Sequence, residues 1–202
     1  MRMWNRVSSA NPARACPELS RRDEQLPARV LIGGVGYRWL GDASFGLVAT
    51  DQLAGLEWPS GVEVADLGYG AIYVAQDLAA AHPPYQRLIL LCGMARGREP
   101  GQMYHYRWTG AAVDSEEIQA RIREAGAGVI DLDHLLVIAQ HFGALPDDVV
   151  VVEVEPVEMT TGDELSTRIA SLLPQVIEFV RHQAVAPLRD VPSASKNGGT
   201  IP

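Results

Sequence analysis

The sequence predicts an α/β/α sandwich: a mainly parallel sheet with one antiparallel edge strand and helices on both faces. Two observations carry that prediction. Short apolar runs of strand length alternate with segments whose apolar residues fall three and four apart, the order that builds parallel strands joined by helical crossovers. Two of the runs, Leu88 to Cys92 and Val149 to Val154, are apolar almost throughout, as central strands covered on both faces must be.

In chain order, Arg29 to Gly33 reads as the first strand and stops at the turn Gly33-Gly34-Val35-Gly36. A helix is expected from about Ala43 to Leu56, with Phe45, Val48, Ala49, Leu53 and Leu56 near one face. Val62 to Asp66 is the second strand and Ala71 to Ala81 the second helix, the latter with Ile72, Val74, Leu78 and Ala79 as its apolar residues. Leu88 to Cys92 is the third strand. Gln102 to Trp108 alternates in the manner of an edge strand, and Ser115 to Glu124 is polar enough to be an exposed helix. Asp131 is placed to cap a helix that buries Leu132, Leu135, Leu136, Ala139 and Phe142, and Gly143 to end it. After the strand Val149 to Val154, a last helix carries Leu165, Ile169, Leu172, Leu173, Val176, Ile177 and Val180, with Ser166 as N-cap and a kink at Pro174.

The chain has 202 residues, 17 basic and 25 acidic, for a net charge of −8. An acidic protein lacks the basic face that nucleic acid or an anionic membrane demands. Cys16 and Cys92 are the only cysteines, which excludes a disulfide scaffold. No apolar run is long enough to span a bilayer, and the start lacks the apolar stretch of a secretory signal, so a cytoplasmic protein is expected. Residues 1–27, rich in Arg, Ser and Pro, read as a flexible basic arm, and 184–202 as a flexible tail. The body between them, residues 28–183, holds 10 basic against 21 acidic side chains and is therefore at −11.

Ligands of such sheets gather at the carboxyl ends of the strands. The turn after the first strand is not a nucleotide loop: Trp39 stands where a dinucleotide fingerprint needs its third glycine, and Tyr37-Arg38-Trp39 where a phosphate loop needs Gly-Lys-Ser/Thr. Asp42 follows that turn and reads equally as a helix cap or a functional acid. Asp66 ends the second strand on the same rim, before Gly68. Cys92 ends the third, as a small core residue or as a nucleophile without a sequence-neighbouring histidine. Asp131-x-Asp133-His134 reads as a cap plus a half-exposed histidine, because Asp133 points away from its neighbours on a helix. His105, in Tyr104-His105-Tyr106-Arg107-Trp108, belongs to a strand whose faces pack.

From about Arg29 to His182 the chain resembles the nickel-dependent endopeptidases that trim the large subunit of [NiFe]-hydrogenases. The resemblance rests on Gly34-Val35-Gly36 with Asp42 and Gly46 after it, on Asp66-Leu67-Gly68-Tyr69, on Pro100-Gly101, and on a closing block. That block comprises Leu135 to Gly143, Val152-Glu153-Val154-Glu155-Pro156, Gly162 and Leu165-Ser166. It implies a rim that binds the large-subunit precursor, with Gly34, Gly36, Asp42, Asp66 and Gly68 as substrate-side positions. The three metal-ligand positions of the family fall on Ala43, Cys92 and Gly128, and its turn asparagine on Tyr37. Alanine and glycine offer no side-chain donor, and one cysteine does not fix an ion.

The resemblance thus implies a maturation factor with degenerate proteolysis, with no cofactor of its own and nickel met only in the precursor. The alternatives are an active endopeptidase using a substitute set (Asp42, Asp66, Cys92 and His134) and an unrelated small-molecule enzyme with Cys92 as nucleophile.

Overall fold

The computed structural model describes residues 28–162 and 164–188. The arm expected at 1–27, and the tail beyond residue 188, lie outside the described residues.

The strands are β1 (Val30–Gly34), β2 (Val62–Asp66), β3 (Arg87–Gly93), β4 (Met103–Arg107) and β5 (Asp148–Val154), in the order β2-β1-β3-β5-β4. β2, β1, β3 and β5 run parallel, while β4 pairs antiparallel with β5, from Met103 opposite Val154 to Arg107 opposite Val150. The helices are α1 (Phe45–Ala54), α2 (Ala71–Ala80), α3 (Ser115–Gly126), α4 (Leu132–His141), α5 (Thr167–Ala170) and α6 (Leu173–Val185).

Strand alternation sorts the core into two layers. Leu31, Leu88, Leu90, Cys92, Val149 and Val151 meet α2, α3 and α4 on one face. Val30, Ile32, Ile89, Leu91, Val150, Val152 and Val154 meet α1, α5 and α6 on the other. This is the expected sandwich, with the expected antiparallel edge. The connection from β1 leads outward to β2, and the connection from β2 returns past β1 to β3. The sheet therefore reverses its winding between β1 and β3, and their carboxyl ends open the crevice where α/β sheets hold ligands.

Several boundaries differ from expectation for physical reasons. The first helix starts at Phe45 instead of Ala43, because Gly41–Ser44 forms a separate 3-10 turn. The last helix is two helices, not one kinked helix. Pro174 is the second residue of α6, where a missing N–H breaks no intrahelical bond. β3 begins one residue early with Arg87, whose side chain is fully buried. Its guanidinium bonds Asp148 Oδ2 at 2.7 Å and the carbonyls of Ala186 and Pro187 at 2.8 Å, holding the end of α6 to the sheet. Asp131 caps α4 through His134 N–H at 3.0 Å, and Gly143 takes φ +65° just beyond that helix. No helix among the described residues is long and apolar enough to cross a membrane.

Candidate functional site

A cavity of about 270 Å³ opens at the crevice, walled by the turn after β1 (Gly36, Tyr37, Leu40, Ala43), the end of β3 (Cys92 to Ala95) and the start of α4 (Ile130 to Leu132). Glycine shapes it at two points. Gly36 takes φ +140°, and a Cβ on Gly93 would stand 2.2 Å from the Asp42 carbonyl. A larger cleft of about 560 Å³ lies at the amino end of β5, the opposite end of the sheet, away from the crevice.

The residues singled out from sequence are not one cluster. Gly36, Ala43 and Cys92 line the cavity. Gly34 is buried at the end of β1, against the α1 backbone at Gly46, and Gly68 packs against the Gly36 carbonyl. Gly68 donates its N–H to Asp66 Oδ1 at 2.7 Å, while Asp66 Oδ2 pairs with Arg38 at 2.9 Å. Arg38 also holds Asp51 at 2.7 Å.

Asp42 is fully buried and caps no helix of its own. Its carboxylate accepts from the N–H groups of Val157 (2.9 Å), Glu158 (3.1 Å) and Ser166 (2.7 Å), and from Ser166 Oγ at 2.9 Å. It ties the loop after β5 to the turn after β1, and Ser166 Oγ in turn caps α5.

Cys92 is 3% exposed. Burial first, and then the nearby Glu153 carboxylate, push its thiol well above the ordinary range, so it stays protonated at neutral pH and is a poor nucleophile.

Tyr37 stands where the family resemblance places the turn asparagine. Its hydroxyl donates to the Gly128 carbonyl at 3.3 Å and accepts from Ile130 N–H at 2.7 Å. The side chain therefore spans from the β1 turn to the loop before α4, and ties down the segment that carries Gly128.

A second feature of the rim was missed altogether. Glu153, fully buried, accepts from Arg96 Nη2 (2.7 Å), Arg96 Nε (2.9 Å) and the Tyr106 hydroxyl (3.0 Å), and pairs with Arg98 at 2.7 Å. Glu155 accepts from Arg96 N–H (2.8 Å), Gly97 N–H (2.9 Å) and Arg98 Nε (3.0 Å). Asp133 takes both Arg96 terminal nitrogens, at 2.7 and 3.1 Å. The Arg96 bonds hold the Asp133 carboxyl below its usual range. For Glu155 burial pushes upward, but Arg98 and the two backbone donors outweigh it and the net shift is downward. The sequence signal was two glutamates at the end of an otherwise apolar strand, with Arg96 and Arg98 in a loop.

His134 is 9% exposed, not half-exposed, with Nδ1 2.9 Å from Asp131 and Nε2 2.7 Å from Glu124. Asp133 does point elsewhere, to Arg96. His105 is exposed on β4 and stacks on Phe179 with centroids 4.4 Å apart. Asp42, Asp66 and His134 are each bonded within their own surroundings. Among the described residues no three His, Cys, Asp or Glu side chains come together to hold an ion. The residues present do not fit a bound nickel ion: Ala43 has no donor, Cys92 is a buried thiol, and Gly128 (φ +94°) has no side chain.

No protein-family model and no curated protein matches the chain. Solved structures do. A hydrogenase 2 maturation peptidase from a Thaumarchaeota archaeon is 28% identical, covering 77% of this chain and 97% of its own, at a TM-score of 0.54. The E. coli hydrogenase maturating endopeptidase HybD is 21% identical over 75% of this chain and 89% of its own, at 0.57. The [NiFe] hydrogenase maturation protease HybD from Thermococcus kodakarensis is 21% identical over 77% and 99%, at 0.52. With the latter two the likeness is one of fold.

Proposed function

We propose that the chain, similar at 28% identity to a hydrogenase 2 maturation peptidase, serves [NiFe]-hydrogenase maturation by binding the large-subunit precursor at the rim cleft without cutting it. The observation that carries this reading is the cleft wall. A crevice opens at the winding reversal, yet the positions that the family resemblance assigns to metal ligands are Ala43, Cys92 and Gly128. Peptide hydrolysis near neutral pH needs an activated nucleophile or a polarised carbonyl. Here Ala43 and Gly128 supply neither, and the Cys92 thiol is buried and protonated.

What remains suits binding. The turn after β1 is held by Tyr37 on one side and by Asp42 on the other, so the walls are preorganised. Gly34, Gly36 and Gly68 keep the turns close and thin, and Asp66 stands on the rim with Arg38. Nickel enters this reading only as part of the precursor.

The test is incubation of the purified chain with nickel-loaded large-subunit precursor, followed by gel filtration and intact mass. Co-elution with the precursor mass unchanged is the expected result. Loss of a C-terminal peptide from the precursor overturns the non-proteolytic reading, and absence of any complex overturns precursor binding.

A further inference from the structure

We propose that the mouth of the cleft carries a docking ridge, Trp39, Val157 and Met159 beside Glu158 and Glu164, which takes an extended precursor segment bearing an apolar side chain next to a Lys or Arg. This deepens the precursor-binding reading above and rests on it.

Trp39 adjoins the cavity wall, between Tyr37 and Leu40. It is 67% exposed and is the one non-glycine residue with positive φ (+61°) among the described residues. L residues rarely hold that conformation, bulky ones least of all, and it persists only where the surroundings over-determine it. They do so here. Leu40 forms a parallel bridge with Gly162, Gly162 N–H donates to the Trp39 carbonyl at 3.1 Å, and Asp42 N–H donates to the Glu158 carbonyl at 3.2 Å. The Asp42 carboxylate grips the same loop from its other side through Val157 and Glu158 N–H. A glycine would satisfy this backbone without strain, yet the position holds an indole turned out to water. The loop sewn to it exposes Val157 and Met159, at 49% and 54%. Large exposed apolar side chains on two segments paired through their backbones beside the cavity wall mark a contact surface.

Charge selects the occupant. Glu158 and Glu164 are exposed on that loop, and neither has a cationic partner among the described residues. Arg38, next to Trp39, is taken by Asp51 and Asp66, and Arg168, four residues after Glu164, donates to the Gly101 carbonyl at 2.9 Å. An indole is the best ring for a cation, a thioether adapts to varied apolar side chains, and two unpaired carboxylates favour a basic neighbour. The occupant that fits is a basic and apolar segment of the precursor.

The test compares affinity of the full chain for nickel-loaded precursor across variants whose thermal unfolding shows them folded. Trp39→Gly is expected to weaken binding at least about tenfold, since a central indole is a typical anchor. Glu158→Gln combined with Glu164→Gln is expected to weaken it about threefold at low salt and to flatten its salt dependence. Phe142→Ala, an exposed apolar residue beyond the end of α4, should leave affinity unchanged. Wild-type affinity in Trp39→Gly overturns the ridge while leaving precursor binding intact. So does loss of self-association in Trp39→Gly with precursor affinity unchanged, which would assign the ridge to a second copy. Failure of the unaltered chain to bind precursor overturns both.

Discussion

The carboxyl ends of β1 and β3 and the carboxyl end of β5 stand on one rim, and they treat charge in opposite ways. At the first, the walls are mainly Tyr37, Ala43 and Cys92, and the one acid among them, Asp131, is taken up by the His134 N–H and ring. At the second, Glu153, Glu155 and Asp133 are gathered with Arg96 and Arg98 in a half-buried network. The two meet across one strand pairing, where Cys92 lies opposite Glu153. The body is strongly acidic, but apart from the exposed Glu158 and Glu164 its rim acids are taken up by arginines, His134 and backbone donors. What a rim can do chemically depends on which carboxylates are left unpaired, not on how many there are.

That contrast breaks first at Glu153. Glu153→Ala strands two arginines and a tyrosine hydroxyl in a half-buried site and should cost about 4 kcal/mol in urea unfolding. A loss below about 1 kcal/mol would show the network to be an ordinary surface cluster. Asp42→Ala should cost about 3 kcal/mol, because three N–H groups and a hydroxyl lose a charged acceptor at once. Its hydrogen exchange should speed up at Val157, Glu158 and Ser166, while Ile130 stays protected. Tyr37→Phe removes two bonds at a partly exposed site and should cost about 1 kcal/mol, with faster exchange at Ile130. Unaltered exchange there would remove the strut.

Acid should act on the second region. Asp133 and Glu155 are held below their ordinary values, so they contribute stability above the unfolded carboxylate range, and it drains away as the pH falls through and below about 4. Unfolding midpoints of wild type and Asp133→Asn should converge there. The smallest effect belongs to Cys92. In a Cys16→Ser background, a thiol reagent should leave the native chain unlabelled and label it fully in urea.

The fold was legible in the sequence because strand and helix periods are local properties. Leu88 to Cys92 and the cap at Asp131 announce themselves within a few residues. Pro174 misled, since a proline at the start of one helix and a proline kinking another leave the same sequence mark. The site was only partly legible. The rim could be located from Gly34, Gly36 and Asp66, but the partners that define it are remote in sequence. Asp42 bonds Ser166, 124 residues away, and Tyr37 bonds Ile130, 93 residues away. Arg96 and Glu153 are 57 apart. Nor could spacing show that His134 would be buried between Asp131 and Glu124, because Glu124 comes from the preceding helix.

The cleft lacks the donor set that the family resemblance assigns to metal. Equilibrium dialysis of the purified chain against nickel at micromolar concentration tests it directly. No saturable binding is expected, with the same result for wild type and for Cys92→Ala. A saturable one-to-one site that Cys92→Ala abolishes would contradict it.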